Sequence, residues 1–134
     1  MHIIKEVLTM KPEVMEWTHI VRPGADDCHY RSYLVSGAHL IQYVTDCLAC
    51  LSSVREGTGG LVANVNANFR YEVHAMDELV VKLKLIKQGN TSRVYAFTID
   101  KTIEYANDGT ATAKVLDEPV RAVDGEVVLV VKPH

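Results

Sequence analysis

No run of about 18 apolar residues free of charge occurs anywhere in the sequence, which argues against a membrane-spanning helix. Clusters of lysine and arginine are missing too. The 14 basic residues are scattered among 17 acidic ones for a net charge of -3, so no basic surface awaits phosphates, and neither a nucleic-acid nor a membrane-surface partner is expected. The opening MHIIKEVLTMKPE has Lys5, Glu6 and Lys11 but no long apolar core or small-residue cleavage site. It does not read as a signal peptide, and a cytoplasmic location is expected. Cysteine is scarce and odd in number: Cys28, Cys47 and Cys50. The Cys47-x-x-Cys50 pair lacks the second Cys or His pair of a structural zinc site, so all three read as reduced thiols packed as small hydrophobes. None of the six histidines falls into HExxH or another tight ligand spacing, and no metal is expected.

No repeat, low-complexity tract or linker interrupts the chain. A single domain over 1–134 is expected, with residues 1–13 as an N-terminal extension. At 134 residues, 48% apolar and 23% charged, the chain is long enough to bury one core.

The apolar periodicity divides the sequence in two. Met15 to Val21 alternates like a strand and stops at Pro23-Gly24. After a loop carrying Asp26 to Tyr30, the residues Leu34, Gly37, Ile41, Val44, Leu48 and Leu51 recur at three- and four-residue steps. That spacing predicts one long helix over about Ser36 to Glu56. Leu40, Cys47, Ala49 and Val54 widen the stripe until most of the circumference is apolar, so the helix is expected to be buried; Gly57, Gly59 and Gly60 end it. Beyond it the period drops to two. Strands are predicted over Leu61–Tyr71, Leu79–Lys87, Arg93–Tyr105, Thr110–Leu116 and Glu126–Val131, with turns at Gln88-Gly89-Asn90 and Asn107-Asp108-Gly109 and a break near Pro119. One strand, one buried helix and a mostly antiparallel sheet make an α+β architecture, in which the sheet curls around the helix and covers both apolar surfaces.

Such a helix should not carry polar groups without reason. His39, Tyr43, Asp46 and Cys50 nevertheless share one side of it. A carboxylate on a buried helix must be hydrogen-bonded, face a cavity or take up a proton. Asp46 is therefore a candidate acid–base group, or else structural glue bonded to Tyr43 or a neighbouring strand. Ser36-Gly37-Ala38 lies at the helix N-terminus, where unpaired N–H groups and the positive dipole end could polarise a carbonyl. Gly37 either admits a ligand to the backbone or lets the helix pack on the sheet.

The run Asp27, His29, Tyr30, Leu34, Val35, Gly37, Ala38, Asp46 resembles the N-terminal part of the β-aminoacyl-CoA ammonia lyases. Phe69 and Asp77, then Gly89-Asn90-x-Ser92, then Glu118-Pro119-Val120 match in order, so the likeness spans roughly residues 20 to 132. It implies the hotdog fold: an antiparallel sheet of five to six strands wrapped around one long helix. The open sheet edge of that fold usually pairs with a second subunit, which implies a homodimer and allows a larger assembly of dimers. It further implies a small acyl-CoA thioester as substrate, with coenzyme A entering as part of it and no metal or redox cofactor. Asp46 and Asp27 are the implied catalytic acids; Asp27 lies in the loop before the helix, where several hotdog thioesterases place a catalytic Asp. His29, Tyr30, Gly37, Ala38, His39, Tyr43 and Asn68 are the implied substrate contacts. Two positions depart from the pattern. The family tends to carry a Glu four residues after the helix Asp, here Cys50, and another just before the Phe, here Asn68. Three readings follow: reversible elimination of ammonia to an enoyl-CoA, thioester hydrolysis by an Asp, and binding of an acyl-CoA without turnover. Arg31, Arg55, Lys84, Lys87 and Arg93 are candidates for the coenzyme's phosphates, or plain surface charge.

Overall fold

The computed structural model describes residues 9–28, 31–106 and 108–132, without the side chain of Arg31. Its elements are β1 (Glu16–Val21), α1 (Gly37–Glu56), β2 (Leu61–Phe69), β3 (Glu78–Gln88), β4 (Ser92–Tyr105) and β5 (Ala113–Val130), with a short 3-10 turn at Ala25–Asp27. The five strands form one antiparallel sheet in the order β1-β3-β4-β5-β2.

Alternation puts every second side chain on the face that meets the helix. Leu79, Val81 and Leu83 of β3 and Tyr95, Phe97 and Ile99 of β4 are fully buried there, as are Val123, Val127 and Leu129 of β5. The helix answers with Val44, Cys47, Leu48 and Leu51. Its start is set by Ser36, whose extended backbone stops the helical ladder while its Oγ accepts a hydrogen bond from the His39 N–H at 3.2 Å. Its end is set by Gly57, left-handed at φ 70°, with its N–H donating to the Ser53 carbonyl at 3.0 Å.

The expected strand and helix bounds hold to within two residues up to β4. Three expectations need correction. First, Thr110–Leu116 and Glu126–Val131 are not separate strands, because Pro119 does not break the chain: β5 runs continuously from Ala113 to Val130. Its register against β4 jumps from Ile103↔Val115 to Lys101↔Val120. Residues 116–119 therefore bulge out of the ladder, and Pro119, which has no N–H to donate, costs no hydrogen bond there. Second, the helix is not buried all round: Gln42, Asp46, Ala49 and Ser53 form an exposed face. Third, Leu34 precedes the helix and forms an isolated bridge with His74.

Asp77, one of the positions that carried the family resemblance, is a structural anchor. It is completely buried, accepts the N–H groups of His74 and Tyr105 at 2.8 Å each, and pairs with the buried Lys101 ammonium at 3.0 Å. The Tyr71 ring faces the same ammonium at 4.8 Å. This pair fixes the turn into β3 against the far half of β4.

Candidate active site at the helix N-terminus

The 3-10 turn that follows β1 carries Asp27 against the helix. Asp27 Oδ2 accepts the Gly24 N–H at 3.0 Å and the Tyr43 hydroxyl at 3.3 Å, while Oδ1 stands 3.6 Å from His39 Nε2. The other ring nitrogen of His39 lies 3.4 Å from Ser36 Oγ. The helix period explains the meeting: His39 and Tyr43 are four residues apart and project from the same side of α1. The carboxylate is thus held by one backbone donor and one phenol, with the His39 imidazole beside it at 3.6 Å. Tyr43 is buried. Burial, followed by the negative charge of Asp27 and the hydrogen bond donated to it, raises its pKa well above the ordinary phenol value. Tyr43 is therefore a neutral donor at any physiological pH. The neighbouring Cys28 thiol is also raised, mainly by burial, and its Sγ contacts the Tyr33 carbonyl at 3.0 Å. Cys47, buried at the core side of the helix, is pushed up to about 12 by burial and by Cys50. Both are protonated packing thiols.

A groove of about 480 Å³ also meets the start of the helix, lined by Leu34, Val35, Gly37, Leu40, Phe69, Arg70, Tyr71, Glu72 and Val73. The Phe69 ring lies against Gly37, where an added Cβ would stand 3.2 Å from two ring carbons. A side chain at Gly37 would push the Phe69 ring back by a few tenths of an ångström, and Phe69 forms a wall of the groove. At the open end of the turn, the first N–H groups, those of Gly37 and Ala38, have no intrahelical acceptor.

The remaining expected residues are scattered. Asp46 is exposed, and no described residue donates a hydrogen bond to it. The polar stripe thus begins at Asp27 and ends facing outward. Ala38 is exposed and Cys50 half-buried. Asn68 belongs to the opposite face of the sheet, where its Nδ2 donates to Asp124 at 3.2 Å. His29 and Tyr30 lie outside the described residues. Arg55 and Arg93 do not present surface charge. Arg55 is 3% exposed and donates to the carbonyls of Pro12 and Val14 and to Gln88, and Arg93 is paired to Glu56 at 2.6 Å. Both seal the C-terminal end of the helix. Among the described residues no three His, Cys, Asp or Glu side chains come together as metal ligands.

One role and one participant were not read from the sequence. Ser36 is both the cap and the neighbour of His39, a role signalled only by its place before the helix. Glu72 enters the groove from the irregular segment after β2, where no periodicity fixes a side chain's direction.

The chain is similar to known proteins over most of its length. The sequence profile of the thioesterase superfamily matches residues 34–102. The 3-aminobutyryl-CoA ammonia lyase of Acetoanaerobium sticklandii is 32% identical over 102 residues, 75% of this chain and 81% of that protein. Among solved structures, the β-alanyl-CoA:ammonia lyase of Clostridium propionicum superposes with a TM-score of 0.82 at 22% identity, covering 87% of this chain and 84% of that one. The acyl-CoA hydrolase of Staphylococcus aureus, solved with butyryl coenzyme A and coenzyme A, superposes with a TM-score of 0.67 at 13% identity over 88% and 63% of the two chains.

Proposed function

The chain belongs to the thioesterase superfamily of hotdog proteins, and from that premise we propose that it catalyses the reversible elimination of ammonia from a small β-aminoacyl-CoA. The observation that carries the reading is the Asp27 carboxylate, held beside His39 and Tyr43 at the helix N-terminus, in a chain 32% identical to a 3-aminobutyryl-CoA ammonia lyase.

The acyl group lies in the groove beside Gly37 and Phe69. Its thioester oxygen meets the free N–H groups of the first helical turn, where the dipole end stabilises the enolate. Asp27, relayed through His39, takes the α-proton. The electron pair forms the Cα=Cβ bond as the Cβ–N bond breaks, and ammonia leaves with an enoyl-CoA thioester. Asp27 meets His39 and Tyr43, and the groove meets Gly37 and Leu40 of the same helix, so the reacting carbons would sit over the helix N-terminus between them. Asp46 is a second acid of the same stripe, enclosed only when another copy covers the exposed helix face.

A homodimer suits this reading. β2 closes one end of the sheet as an edge strand, and Leu61 and Phe69 on it are 67% and 54% exposed. Unpaired edges and exposed apolar side chains both favour pairing with a second copy.

Thioester hydrolysis is the second reading. It is favoured by the position of Asp27 in the loop before the helix, where it could activate water or attack the thioester. The two separate cleanly. The protein is incubated with crotonyl-CoA and ammonia, and in parallel with acyl-CoA thioesters and a thiol reagent. An amino-acyl adduct without free coenzyme A supports elimination; free coenzyme A alone moves the chain to the hydrolases. A rise in melting temperature with acyl-CoA but neither product leaves binding as its activity.

A further inference from the structure

The groove beside Gly37 has two charged residues in an otherwise apolar lining, Arg70 and Glu72. Arg70 is already engaged. Its Nε lies 2.7 Å from one oxygen of Asp124 and its Nη2 3.2 Å from the other, a two-point grip that turns its charge to the far face of the sheet. Glu72 has no comparable partner. The nearest described basic group is His74 Nε2 at 3.8 Å, beyond hydrogen-bonding distance, and the Glu72 side chain is 76% exposed. The groove therefore combines apolar walls with a negative rim.

We infer that Glu72 recognises the β-ammonium group of the substrate and so selects amino-acyl over plain acyl thioesters; this rests on the proposed elimination reaction. The apolar wall of Leu34, Leu40, Phe69 and Val73 accepts the carbon chain of either kind of thioester. The Glu72 carboxylate, with only the His74 imidazole near it at 3.8 Å, adds attraction only where the chain carries a cation.

The test is a comparison of Glu72→Gln with the wild-type protein on a charged and an uncharged ligand. Elimination from 3-aminobutyryl-CoA gives KM and kcat, and butyryl-CoA, which lacks the amine, is titrated as a competitive inhibitor. A partly exposed charge pair corresponds to roughly a fivefold effect. The expected result is KM for the amino ester raised about fivefold in Glu72→Gln, with inhibition by butyryl-CoA unchanged, because the cation that Glu72 pairs with is present in the bound amino ester and absent from butyryl-CoA. Glu72→Asp recovers part of the loss. Unchanged KM in Glu72→Gln, with elimination still proceeding, overturns the assignment of Glu72 and leaves the proposed function intact. Absence of elimination in the wild-type protein overturns both.

Discussion

At the scale of single residues, the two candidate acids divide sharply. Asp27 has a backbone donor, a phenol and an imidazole around it, whereas Asp46, on the same helix stripe as His39 and Tyr43, is exposed in one chain. If both take part in proton transfer, Asp27→Asn and Asp46→Asn each lower turnover about a hundredfold or more, the usual contribution of a general acid–base group. The chain stays folded in both cases, as circular dichroism would show. Full activity in Asp46→Asn would confine the chemistry to Asp27. Tyr43 has its own signature. Its pKa is raised in the folded state, so the folded chain keeps this proton to higher pH than the unfolded one. Its contribution is fully present below the ordinary phenol value of about 10 and is lost as pH rises through the folded value. Alkaline titration of phenolate absorbance, with Tyr43→Phe as the reference, should therefore show Tyr43 ionising only as the protein unfolds. A normal titration would mean that its hydroxyl is not held by Asp27. None of these partnerships was legible in the sequence, because the residues that meet are 12 and 16 positions apart and only the turn after β1 folds them together.

At the scale of elements, the helix and most strands could be read directly, since apolar spacing of 3.6 and 2 encodes them locally. The unexpected continuity of β5 shows where that encoding ends. Pro119 marks a break only if its residue must donate to the ladder, and the register jump opposite β4 removes that demand. Gly125 is the converse case. It faces Ala67 across the β2–β5 pair, and a Cβ there would lie 1.9 Å from the Asn66 carbonyl oxygen and 2.8 Å from the Phe97 ring. Gly125→Ala should push β2 off the sheet. The expected cost is about 1–3 kcal/mol, the usual range for overpacking, together with faster hydrogen exchange confined to β2. An unchanged urea midpoint would show that the strand pair yields without cost.

At the scale of the whole molecule, one buried ion pair ties distant parts of the sheet. Asp77 and Lys101 are 0% and 1% exposed in their side chains and 3.0 Å apart, and Asp77 also caps the His74 turn and accepts from β4. Removing one partner leaves a buried charge alone, so Lys101→Met should cost about 3–5 kcal/mol in chemical denaturation. Replacing both by apolar residues of similar volume should recover part of that loss, although the backbone donors to Asp77 would then be unmatched. A single-substitution cost below about 1 kcal/mol would mean that water reaches the site.

Alternating and helical spacings, turn residues and the absence of basic or long apolar runs were enough to specify an antiparallel sheet around one helix, because each is a local property of the chain. Ordered matches from Asp27 to Glu118-Pro119-Val120 added the hotdog family. Tertiary structure alone decided the rest: that Asn68 points to Asp124 and Asp27 to Tyr43, that Arg55 and Arg93 are sealed inside, and that Glu72 borders the groove. Those outcomes depend on which face of the sheet a side chain leaves and which distant segment it meets, and no local period carries that information.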